Sequence, residues 1–160
     1  MVIAEALMQV KDLQSKLKEV KSSLTESVYV LKDDLGNTRN MDFLMDAADD
    51  LNKEINKLKL QIAKTNATVL VGGVSLATII KDIEFLRSQL ATLKEVTDKM
   101  KEKNSRFLQV GYGMTEKIPL VVNFALKEEV YVERMEAIRK QIRELEKKLV
   151  KANWSTELVA

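Results

Sequence analysis

The densest run of chemically capable side chains is acidic: Asp42, Asp46, Asp49, Asp50 and Glu54. Carboxylates this close in sequence could supply the hard oxygen donors that calcium or magnesium requires. All five, however, fall off the apolar stripe of Leu44, Ala48 and Leu51. On a helix that is the solvated face, which explains them without a metal. The chain has no His and no Cys. That excludes a histidine general base, a thiol nucleophile, a zinc thiolate site and the Glu-x-x-His pairs of a di-metal bundle. Proton transfer would then fall to Asp82 beside Lys81, or to Tyr112 and Tyr131. A helix-surface pair and packed aromatic rings explain these better. No catalytic, cofactor-binding or metal residues are assigned, and the chain reads as non-enzymatic.

Two glycine pairs could cradle an anion. Gly72-Gly73 precedes a helix, where a phosphate could meet the free N–H groups. No Gly-Lys-Ser/Thr follows, so a hairpin turn is the better reading. Gly111-Tyr112-Gly113 opens no helix and also reads as a turn. Basic residues gather at Lys94, Lys99, Lys101, Lys103 and Arg106, and again at Arg139, Lys140, Arg143, Lys147, Lys148 and Lys151. Either stretch could touch a polyanion, and nucleic-acid association is the alternative function. Glu95, Asp98, Glu102, Glu144 and Glu146 dilute the field, as on the outer faces of coiled coils. Trp154, the sole Trp, reads as an anchor that packs the tail. Asn66 and Asn153 stand where apolar stripes stop, so each is expected to end its helix at the left-handed position.

The elements that would position these groups follow from periodicity. Ile3, Leu7, Val10, Leu13, Leu17, Val20, Leu24, Val28 and Leu31 recur every 3.5 residues on average. That is the coiled-coil period. Leu44, Ala48, Leu51, Ile55, Leu58, Ile62 and Thr65 step by four and three. Tyr131, Met135, Ile138, Ile142, Leu145, Leu149 and Ala152 do the same. Leu76, Ile79, Ile83, Leu86, Leu90, Leu93, Val96 and Met100 form a further stripe, with Ser75 as its N-cap. Between stripes lie Val69-Leu70-Val71 before the glycine pair, and Phe107–Phe124 with the only Pro, Pro119. Both fit hairpins. The spacing predicts a mainly α, antiparallel long-helix coiled-coil bundle. Its four helices cover about 2–32, 43–66, 76–104 and 125–152, with two short β-hairpins near 67–75 and 106–123 in a single domain.

Composition agrees. Aromatics are 5%, with 5 Gly and 1 Pro, too few for a typical sheet protein and well suited to long helices. A net charge of +2 does not imply a polycation. The longest uncharged stretch, Thr65–Ile80, is 16 residues and contains Asn66 and both glycines. A membrane span needs about 20 apolar residues, so none is expected. Glu5 and Lys11 interrupt the start, which does not read as a signal peptide. A cytoplasmic location is expected.

The order of short motifs resembles the septicolysin-like family of small bacterial proteins. It runs Ile3-Ala4-Glu5-Ala6-Leu7, Asp12-Leu13-Gln14, Ile62-Ala63-Lys64-Thr65-Asn66, Leu76, Lys81-Asp82, Gln141 and Asn153-Trp154. The likeness spans nearly the whole chain. Where the family has Arg-Asp this chain has Lys81-Asp82, and Ser105-Arg106-Phe107 replaces a polar stretch. The resemblance implies no catalytic residues. The cytolysin in the family name is not carried over, because neither an export signal nor a membrane-length segment is read here. Four narrow stripes make a thin core for one chain, so a homo-oligomer, most simply a dimer, is expected. The function expected is that of a structural or protein-interaction module, its own copies being the first partner.

Overall fold

A computed structural model describes residues 1–28, 41–101 and 127–159, together with the backbone of residues 106–109 and 117–120. Four long α-helices dominate: α1 (Ile3–Glu26), α2 (Met41–Thr68), α3 (Leu76–Lys101) and α4 (Glu128–Ser155). Strands β1 (Leu70–Val71) and β2 (Val74–Ser75) form one antiparallel hairpin, and β3 (Arg106–Gln109) and β4 (Lys117–Leu120) a second. The mainly α class with two short hairpins is the one the periodicity predicts.

The ends of the helices show the local chemistry. Ser75 caps α3, its Oγ accepting the Thr78 N–H at 3.1 Å. Val2 offers no cap, and its N–H donates instead to Glu5 Oε2 at 3.0 Å. α1 stops at Glu26 rather than near residue 32. Hydroxyls gather at this end, in the run Ser22, Ser23, Thr25, Ser27, and bond helical carbonyls. Thr25 Oγ1 donates to the Lys21 carbonyl at 2.5 Å and Ser27 Oγ to Ser23 at 2.6 Å. Residues 29–32, 102–105, the Gly111-Tyr112-Gly113 turn and residues 121–126 lie outside the described residues.

The first hairpin closes on Gly72 (φ 62°) and Gly73 (φ 84°). Two residues in the left-handed region match a two-residue primed turn, whose twist suits the strands. A Cβ at either glycine would meet nothing within 4 Å. The cost of Gly73→Ala is therefore conformational alone. It is expected to be about 1–2 kcal/mol, measured by urea denaturation.

The contacts gather the chain into two compact units. Unit 1 is Met1–Ile79 with Lys148–Ala160, and unit 2 is Ile80–Lys147. In unit 1, α1 and α2 run antiparallel, tied across the surface by Gln9 Nε2 donating to Glu54 Oε1 at 3.2 Å. Ile3, Ala6, Val10, Leu13 and Leu17 of α1 are buried, as are Ala48, Ile55, Leu58, Ile62 and Thr65 of α2. Leu7, which the heptad reading placed on the stripe, is 45% exposed, and Ala6 takes its place. The small Ala side chain suits the crowded start of α1, where the backbone is paired with the chain's C-terminal tail. In unit 2, Ile83 and Leu93 of α3 and Met135, Ile138 and Ile142 of α4 are buried.

Candidate functional site

In unit 2, α3 and α4 lie side by side and antiparallel. Arg87 Nη2 is 2.6 Å from Glu146 Oε1, and further along α3, Lys101 Nζ is 2.9 Å from Glu128 Oε1. These two exposed ion pairs mark the register of the helices. One residue before Arg87 and Glu146 come Leu86 and Leu145, both on the predicted stripes. Neither is fully covered. Together with Phe85 they form the apolar part of an open groove of about 470 Å³. Its polar rim is Asp82 on α3, with Lys140, Gln141 and Glu144 on α4. Spacings of three and four residues put these side chains on one side of each helix. Phe85 is 62% exposed, a large apolar ring standing in solvent.

The groove is mainly apolar. It offers an apolar floor and carries charge of both signs on its rim. Asp82 and Lys140 have no ion-pair partner among the described residues, whereas Glu144 has Lys147 at 3.4 Å. Lys81 does not pair with its neighbour Asp82; its Nζ lies 2.7 Å from Glu84 Oε2. Tyr131 is half-buried, beside Lys127, Val130 and Arg134. Asp42, Asp46, Asp49 and Asp50 are exposed on α2. Among the described residues no cluster of His, Cys, Asp or Glu is placed to hold a metal ion.

Much of the basic surface is paired. Arg139 bridges to Glu136, Lys99 Nζ lies 2.8 Å from Glu95 Oε1, and Glu128 holds Lys101. The hydrogen bond from Lys99, and then its charge, hold the Glu95 carboxyl below its ordinary value of 4.5. The hydrogen bond that Lys101 donates to Glu128, and then the charge of Glu128, raise Lys101 above 10.5. A lowered carboxylate contributes stability above its ordinary value and loses it as pH falls through the folded-state value. The Glu95–Lys99 contribution is thus present above pH 4.5 and disappears below it. Lys99→Ala is expected to return the Glu95 titration, followed by carboxyl NMR, to the ordinary value.

The residues singled out in the sequence divide between the units. Asp82 lines the groove of unit 2, while Asn66, Gly72, Gly73, Asn153 and Trp154 belong to unit 1. The two asparagines do not end their helices. α2 continues to Thr68 and α4 to Ser155, and no non-glycine residue among those described has positive φ. Backbone amides reach the last turns instead: the Val69 N–H donates to Thr65 O at 2.9 Å and the Thr156 N–H to Ala152 O at 2.9 Å. With backbone N–H groups closing both ends, no left-handed residue is required there. The tail that follows α4 reaches the last turn of α2, where the Val159 N–H donates to Thr65 Oγ1 at 3.0 Å. Trp154 is no buried anchor: it is 60% exposed. The tail is held by backbone hydrogen bonds, so it has no need of the ring.

Sequence reasoning passed over Phe85. The available signal was an aromatic residue off the stripe, between Ile83 and Leu86, in a chain with few aromatics.

A solved structure of similar fold is the crystal structure of a functionally unknown conserved protein from Corynebacterium diphtheriae. It matches over 99% of this chain and 99% of that one, with a TM-score of 0.82 and 22% sequence identity. At that identity the likeness speaks for the fold alone. No curated protein matches the sequence. Residues 10–158, nearly the whole chain, match the family of unknown function DUF6847, and the chain belongs to that family.

Proposed function

We propose that this chain is a non-catalytic, cytoplasmic protein-interaction module that works as a homodimer of long helices. The observation that carries the reading is the state of Leu86 and Leu145. These are stripe positions, where coiled-coil helices bury against a partner, yet both line an open groove beside an exposed Phe85. An apolar patch rimmed by polar residues marks an interaction site more often than a bare surface. Cytoplasmic placement rests on the composition and on the absence, among the described residues, of a helix long and apolar enough to cross a membrane. Kinship with the septicolysin-like proteins rests on motif order and adds no activity. Nucleic-acid association is the weaker reading, because Lys99, Lys101, Arg139 and Lys147 each pair with a carboxylate. Light scattering at micromolar concentration is expected to give twice the chain mass of 18.2 kDa. A single-chain mass throughout would refute the reading.

A further inference from the structure

We infer that the α3–α4 groove is covered by the same groove of a second copy, in a two-fold arrangement that faces each Lys140 with Asp82 of the other chain. The inference rests on the homodimer reading and names its surface. Three observations carry it. The first is that one patch holds both a projecting ring, Phe85, and an apolar hollow floored by Leu86 and Leu145. A two-fold interface uses the same patch on both copies, so the patch must fit itself. A ring beside a hollow meets that demand: each Phe85 enters the floor offered by the other chain.

The second observation is charge. Asp82 and Lys140 carry opposite charges on opposite helices of the rim, and neither has an ion-pair partner among the described residues. Within one chain the groove separates them. The third observation is register. Asp82 precedes Arg87 on α3 and Lys140 precedes Glu146 on α4, and Arg87 and Glu146 pair across antiparallel helices. Asp82 and Lys140 therefore lie on opposite sides of that level, at opposite ends of the groove. A two-fold axis in the plane of the interface, running between them, exchanges their places. Each then meets its opposite, twice per dimer, and the two helical hairpins cross one another. Rim charges of this kind set register and partner choice as much as affinity.

The test uses charge reversal in trans, read by light scattering over a concentration series. The parent is expected to be a dimer. Lys140→Asp places Asp82 against an aspartate of the other copy, and Asp82→Lys places Lys140 against a lysine. Each variant alone is expected to dimerise about tenfold more weakly or worse. Mixed one to one, the two variants restore both contacts, and a heterodimer of parental affinity is expected. Phe85→Ser is expected to be monomeric with the circular dichroism spectrum of the parent, since the ring is exposed. If the parent is a dimer and none of these variants weakens it, the groove is not the interface; the inference falls while the dimer reading stands. If the single variants are monomers and their mixture remains monomeric, the Lys140–Asp82 pairing is wrong. A monomeric parent overturns inference and reading together.

Discussion

Replacing Leu76 by Ala is expected to destabilise the protein by about 3–5 kcal/mol, near the upper end for buried Leu→Ala changes. Leu76 is 0% exposed and opens α3 directly after the first hairpin. The loss combines the transfer of the removed methyl groups with the cavity left behind. Its size depends on whether the surroundings can collapse into the space. Here they are held: the Leu76 N–H donates to Val69 O at 3.1 Å, Val69 N–H donates to Thr65 O at 2.9 Å, and Ser75 caps the next turn. The backbone before and after the side chain is thus fixed by hydrogen bonds, and the cavity stays open. Ala is the best helix former, so no loss of helix propensity confuses the result. Urea denaturation followed by circular dichroism measures the difference. A cost below about 1 kcal/mol would show that the hairpin yields and fills the space.

The helices were legible because their stripes repeat over many turns, and a repeated period survives local exceptions. Thr65, Ile79, Ile83 and Met135 stand on those stripes and are buried as expected. Gly72-Gly73 was legible because only left-handed backbone closes so tight a turn. The exceptions lie where tertiary pairing overrides the period. Leu7 yields to Ala6 where the chain ends meet, which no window along the sequence could disclose. Asn66 and Asn153 stand short of the helix ends because each helix runs two residues further, closed by the Val69 and Thr156 N–H groups. The groove was invisible for a related reason. Its residues come from two helices far apart in sequence, and their meeting depends on the register marked by Arg87–Glu146 and Lys101–Glu128. Lys140, Gln141 and Asp82 were each noted separately, but nothing in their spacing joins them.

Removing residues 156–160 is expected to cost about 3–5 kcal/mol, as three net hydrogen bonds plus the partial exposure of one large apolar side chain. The tail lies antiparallel to the start of the chain. Ile3 N–H donates to Thr156 O at 3.0 Å, Leu158 N–H donates to Met1 O at 3.0 Å, and Val2 faces Glu157. Beneath this short ribbon Ile3 is 1% exposed, and α1 begins with Ile3 already paired. The third bond ties in α2, because Val159 N–H reaches Thr65 Oγ1 while that hydroxyl donates to Gln61 O at 2.7 Å. A pair of threonines separates the bond from the burial. Thr65→Val keeps the shape but removes the acceptor of the Val159 N–H, and is expected to cost about 1 kcal/mol. Thr97 is equally buried, but its hydroxyl donates only to Leu93 O and Lys94 O of its own helix. Thr97→Val is therefore expected to be nearly neutral, since the helical amides already serve those carbonyls. Thermal melts of the truncation and both valine variants check the order. If the truncated chain melts with the parent, the ribbon is ornamental, and the burial of Ile3 must be maintained by α1 and α2 alone.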